Sequence, residues 1–106
     1  MRIELLYMPG CPNHEPALDR LRRVLGRQAV TDPIHEIAVT DENIAANLRF
    51  PGSPTIRVND RDVEPEGISS CGLACRLYGN GTGIPSEETI GRAVSSAAGE
   101  DGRESD

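Results

Sequence analysis

The stretch Ile3-Glu4-Leu5-Leu6-Tyr7-Met8-Pro9-Gly10-Cys11-Pro12-Asn13-His14 decides how this chain folds. Its first half is a short, largely apolar run bounded by Pro9-Gly10, the mark of a buried strand that ends in a turn. Its second half leads into a segment where Leu18, Leu21 and Leu25 recur at i, i+3 and i+7 with Val24 beside them. Asp19, Arg20, Arg22 and Arg23 take the opposite face, which predicts an amphipathic helix running roughly from Pro12 to Gly26. Pro12 suits the first turn, where a missing N–H costs nothing, while Pro16 tightens or delays the start. Cys11 thus lies where a strand ends and a helix begins. The partial positive charge of a helix N-terminus favours thiolate over thiol, so a cysteine there is a nucleophile or a soft-metal ligand near neutral pH. His14 stands where a dithiol motif would carry its second cysteine, so Cys11 does not act through a CxxC pair.

Further along, Ile34-His35-Glu36-Ile37-Ala38-Val39 has the length and mixed pattern of a second strand. Thr40 or Asp41 can cap a short helix that reaches Arg49, with Ile44, Ala45 and Leu48 as its apolar stripe. Pro54 to Val58 reads as a third strand, Asn59-Asp60-Arg61 as a tight turn, and Asp62-Val63-Glu64 as a returning fourth strand. Leu73 to Tyr78 has the makings of a helical turn, and Ser86 opens a last helix to about Ala97. The predicted order is βαβ-α-ββα: an α/β domain with a small four-stranded mixed sheet and helices on both faces. It is expected to fill residues 1–98, with 99–106 as a disordered acidic tail that lacks apolar residues.

The chain has 106 residues, enough for one domain with one core. Its net charge is -6, every one of its basic residues is arginine, and no basic face is available to neutralise phosphates, so a nucleic-acid partner is not expected. No stretch reaches the length needed to span a bilayer and the N-terminus carries no signal pattern, so a cytosolic location is expected, with no membrane partner. Three cysteines in such a setting favour catalysis or metal binding over a disulfide framework. The oligomeric state is not legible.

Met8-Pro9-Gly10-Cys11-Pro12-Asn13-His14 at a strand–helix junction, together with Gly52-Ser53-Pro54-Thr55 at the start of a hairpin, resembles the thioredoxin-like superfamily over about residues 2–97. The Cys-Pro-Asn-x, Gly-Ser-Pro-Thr and Gly-Leu-Ala-Cys-Arg-x-Tyr blocks are similar to small bacterial thioredoxin-like proteins, some of them labelled as related to alkylmercury lyases. The resemblance implies a thioredoxin-like fold, a cis Pro54 packed beside a nucleophilic Cys11, and a Ser53 backbone free to pair with an extended substrate. Pro12, Ser53, Pro54 and Thr55 would then line the substrate groove. The implied activity is thiol–disulfide exchange with protein or small-molecule thiols and disulfides, needing no cofactor. Cys11 would attack, and Cys75, Cys71 or glutathione would resolve the mixed disulfide. His14 would hold the thiolate or act as general acid or base.

Cys71-Gly72-Leu73-Ala74-Cys75 is the second chemical signal, because the segment after Glu64 should return to the side of the sheet that carries Cys11. If Cys71 and Cys75 share a helical face they suit a soft metal better than a disulfide. Cys11, His14, Cys71 and Cys75 would make an S₃N set acceptable to zinc, Cu(I) or Hg(II), the alternative being a metal-binding or metal-sensing protein. A third possibility is a degenerate domain kept as a partner-binding module. Arg49 and Arg76 read as surface residues, His35 as an edge residue, and Gly79-Asn80-Gly81-Thr82-Gly83 as a flexible connector without the lysine of a phosphate loop.

Overall fold

A computed structural model describes residues 1–66, 68 and 72–104. The elements in chain order are β1 (Ile3–Tyr7), α1 (His14–Arg27), β2 (Ile34–Ala38), α2 (Glu42–Leu48), β3 (Thr55–Val58), β4 (Arg61–Asp62) and α3 (Glu87–Glu104). The strands form a mixed sheet in the order β2-β1-β3-β4. β1 runs parallel to β2 with Ile3 opposite Ile34, and antiparallel to β3 with Leu6 opposite Thr55. Asn59 and Asp60, at φ 52° and 65°, make the left-handed two-residue turn that a right-twisted hairpin needs between β3 and β4.

β1 is largely apolar because this strand is covered on both faces, its one charged residue, Glu4, being buried as well. Ile3 and Leu5 pack with Leu18, Leu21 and Val24 of α1, Ile56 and Val58 of β3, and Ile90 and Val94 of α3. Leu6 turns to the other face, against Val39, Ala45 of α2 and Phe50. Helices α1 and α3 therefore share one layer and α2 occupies the other, with the sheet between.

Local chemistry sets the helix ends. α1 begins at His14 and not at Pro12, and its first i to i−4 bond is donated by Ala17 to the Asn13 carbonyl at 3.0 Å. Pro16 falls just ahead of that bond, among positions whose N–H would have no helical partner in any case. Asp41 caps α2 by accepting the Ile44 N–H at 2.9 Å, and Arg49 ends it in the left-handed region at φ 52°. Arg57 of β3 reaches the freed carbonyls of Leu48 and Arg49 at 2.7 and 3.1 Å. Ser86 accepts the Thr89 N–H at 3.1 Å and so caps α3.

Two further expectations about element ends need correction. β4 closes at Asp62, because the Asp62 carboxylate accepts the Glu64 N–H at 2.8 Å and turns the chain off the sheet. α3 continues to Glu104, well past Ala97 and into the stretch read as a tail. A helix already fixed by packing propagates at one backbone bond per residue without needing new contacts. Among the described residues, no helix is long and apolar enough to cross a membrane.

Leu21, fully buried between α1 and the sheet, should lose about 2–5 kcal/mol of stability on replacement by alanine. Arg22→Ala, one residue on and exposed, should stay within about 0.5 kcal/mol. Urea denaturation of the two variants checks which face of α1 is inward.

Candidate functional site

Because β3 runs antiparallel to β1, the residues that precede β3 lie beside those that follow β1. This juxtaposition builds the site. The Met8 N–H donates to the Ser53 hydroxyl at 2.9 Å, and the Met8 carbonyl accepts the Cys11 N–H at 3.0 Å. Gly10 allows the turn by taking φ 83°. The Cys11 carbonyl in turn accepts the His14 N–H at 3.2 Å. Cys11 carries a free, partly exposed thiol, set between exposed Gly10 and Pro12 and two residues ahead of the N-cap Asn13. The Ser53–Pro54 peptide bond beside this turn is cis.

The His14 ring is held against the sheet. It stacks on Tyr7 with centroids 3.6 Å apart and planes 8° from parallel, and its Nε2 pairs with Glu36 Oε1 at 2.8 Å. Glu36 carries no motif of its own. It becomes legible only once β2 is paired alongside β1, in a register that sets it across from Leu5.

The segment 72–78 is not a helical turn. It is an extended strap laid along the Ser53 loop, with Cys75 bridged to Ser53 in parallel. The Ser53 N–H donates to the Ala74 carbonyl at 2.8 Å, and the Arg76 N–H donates to the Ser53 carbonyl at 3.1 Å. Gly52, at φ 135°, permits this close approach, since a Cβ there would stand 3.0 Å from Arg76 Cβ and 3.2 Å from the Ala74 carbonyl. Farther up, the Gly72 N–H reaches the Phe50 carbonyl at 2.9 Å and the Leu73 N–H reaches Glu42 at 3.2 Å.

Arg76, expected at the surface, is the anchor of the strap and only 8% exposed. Its guanidinium grips the Asp62 carboxylate at 2.7 and 2.9 Å, the Thr55 hydroxyl at 3.1 Å and the Glu64 carbonyl at 2.7 Å. It also lies over the Tyr78 ring, 4.3 Å from the centroid. Tyr78 is buried and donates its hydroxyl to the Pro54 carbonyl at 2.5 Å. Burial alone would push the Arg76 guanidinium down, but its bonds to Asp62 and the nearby Tyr78 and Glu64 outweigh that and hold it above its ordinary value. Burial pushes the Tyr78 phenol well above the ordinary tyrosine range, against the opposing charge of Arg76. The cluster's only trace in the sequence is a period of two: Arg76 and Tyr78 are inward, Cys75 and Leu77 outward. An inward arginine beside an outward leucine inverts the usual polarity and hides the strand.

These contacts revise the expected groove. Ser53, Pro54 and Thr55 are buried, and only Pro12 of the four is exposed. The Ser53 backbone is paired with the strap, and the Thr55 hydroxyl is spent on the Gly52 carbonyl at 2.7 Å and on Arg76. The Cys75 thiol is exposed and opens on a hollow of about 370 Å³, beside Pro51, Glu64, Ile68 and Leu77, which Cys11 does not line. Cys71 lies outside the described residues. Among the described residues no three His, Cys, Asp or Glu side chains gather into a metal site, and His14 Nε2 is engaged by Glu36. Arg49 is exposed, as is His35 on the edge strand β2. The 79–83 stretch is an organised turn and not a loose connector. The Tyr78 N–H bonds the Thr82 carbonyl at 2.9 Å, and Gly83 packs so closely on the Asn13 amide that a Cβ there would collide with it.

Comparison of the chain with protein-family models, curated proteins and solved structures finds no match.

Asp62→Ala leaves the Arg76 charge buried without its carboxylate and should cost about 3–5 kcal/mol, read by denaturant unfolding. Tyr78 sets an alkaline limit. Its folded phenol titrates above its unfolded value of about 10, so its stabilisation is complete below that pH and is lost as pH rises toward the folded value. Thermal melts above pH about 10 should therefore fall more steeply for the wild type than for Tyr78→Phe.

Proposed function

We propose that this chain is a thioredoxin-like domain whose Cys11 performs thiol–disulfide exchange. One observation carries the reading: the free, partly exposed thiol of Cys11 sits in the turn between β1 and α1 and is tied through Met8 to the Ser53–Pro54 loop. The element order and the mixed sheet, with β1 parallel to β2 and antiparallel to β3, agree with that fold. Two features bear on the chemistry of a thiol so placed: it precedes the first turn of α1, where the helix N-terminus carries partial positive charge, and the His14 imidazole is carried on the same turn.

In the proposed cycle the Cys11 thiolate attacks one sulfur of a disulfide. A Cys11–substrate disulfide forms and the other half leaves as thiolate. The His14 imidazole, carried on the same turn and held by Tyr7 and Glu36, is the base that would take the proton of the Cys11 thiol before the attack and return it to the departing thiolate. A second thiol then attacks the mixed disulfide, releases the bound half and either regenerates Cys11 or pairs with it. The Cys75 thiol opens on a hollow that Cys11 does not line, so Cys71, which lies outside the described residues, or a thiol from solution such as glutathione is the resolver this reading favours over Cys75. The free thiols of Cys11 and Cys75 suit a reducing, cytosolic setting.

The test is mixed-disulfide formation with glutathione disulfide, followed by intact mass and peptide mapping. The wild type should gain one glutathione at Cys11, Cys11→Ser should fall to the background rate, and Cys75→Ser should keep the first step. Exchange that survives in Cys11→Ser overturns the proposal.

A further inference from the structure

A thiol that processes disulfides in polypeptides needs a way to hold the chain on either side of the target sulfur. An open backbone edge beside the thiol provides it, since an extended peptide adds there as a further strand through main-chain hydrogen bonds. In this molecule the backbone next to the Cys11 turn is that of Ser53, joined to it through Met8. Both Ser53 groups that such a peptide would use are taken by the chain itself, the N–H by Ala74 and the carbonyl by Arg76.

The strap is not held by those two bonds alone. Displacing it means drawing Arg76 from Asp62, Thr55 and the Glu64 carbonyl, and Tyr78 from the Pro54 carbonyl. Each of these leaves a buried polar or charged group unsatisfied, which costs far more than an incoming peptide regains from two neutral bonds. On its other sides the Cys11 turn is bordered by exposed Pro9, Gly10 and Pro12, two of which have no backbone N–H to offer. Among the described residues, the Cys11 turn is open to a small molecule, whereas the Ser53 backbone beside it offers no free edge for a polypeptide.

We infer that the 72–78 strap makes Cys11 selective for disulfides of low-molecular-weight thiols and excludes extended polypeptide disulfides. This rests on the exchange activity proposed for Cys11. The step balances simply: the Cys11 thiolate and a disulfide R–S–S–L yield Cys11–S–S–R and the thiolate L, with no further oxidant.

The experiment compares two probes with the same thiopyridyl leaving group, one on 2-mercaptoethanol and one on the cysteine of a short extended peptide. Each rate with the wild-type chain, mapped to Cys11, is divided by the rate of the same probe with free glutathione. The expected result is a normalised rate for the small probe at least about tenfold above that for the peptide. In Arg76→Met and, as a second strap variant, Gly52→Val, each checked for a folded circular-dichroism spectrum, the gap should narrow. Should both variants fail to fold, the wild-type ratio still decides. Equal normalised rates in the wild type overturn the selectivity while leaving the exchange activity standing. If neither probe modifies Cys11, the exchange reading fails, and the selectivity with it.

Discussion

The buried pairing of Arg76 with Asp62 is the constraint on which the rest of the site depends. An arginine is removed from water only where its charge is paired and its N–H groups find acceptors. Here the partners come from three places: Asp62 at the end of β4, Thr55 at the start of β3, and the Glu64 carbonyl where the chain leaves the sheet. One side chain therefore fixes the β3–β4 hairpin, the mouth of the Ser53–Pro54 loop and the course of residues 72–78 together. Tyr78 extends the same logic one alternation further by bonding the Pro54 carbonyl. The mutual satisfaction makes the cluster costly to open in part.

From that constraint the character of the candidate site follows. The Cys11 turn is short, partly exposed and flanked by Pro9, Gly10 and Pro12, while the Ser53 loop joined to it through Met8 has its backbone bonded to the 72–78 strap. The strap that covers the Ser53 backbone is held by a buried ion pair. His14 belongs to the fixed part as well, since Tyr7 and Glu36 hold its ring over the sheet. The partly exposed Cys11 thus lies in a corner whose other members, His14 and the Ser53 loop, are held by hydrogen bonds and stacking. The Gly-Ser-Pro-Thr loop is present, yet the backbone of its Ser53 is spent on the molecule itself.

Much of the architecture was legible from periodicity. The apolar run of β1, the three-and-four spacing of α1 and the Asn-Asp turn each have a local physical cause, and each stands within a few residues of where it was expected. The discrepancies have causes of longer range. Nothing local to Pro12 shows that the first helical backbone bond waits until Ala17. β4 is cut short by a side-chain bond from Asp62 that spacing alone does not announce. The strap was misread because its inward residues are Arg76 and Tyr78, whose partners lie far off in sequence, and its outward residue Leu77 is 76% exposed. Of the candidate residues, Cys11, His14 and the Ser53–Pro54 loop do share one corner. The roles of Ser53 and Thr55 were not readable, since whether a polar group faces substrate or its own chain is a tertiary fact.

The most direct test of this account is amide hydrogen exchange of the wild-type protein at neutral pH, resolved at Ser53 and Arg76. A strap anchored by the buried ion pair predicts that both amides exchange as slowly as those of Leu5 and Leu6 in the central strand. Exchange at the rate of the exposed Cys11 turn would mean that residues 72–78 leave the Ser53 edge freely. The corner would then be an open groove, and the closed wall on which this account rests would not exist.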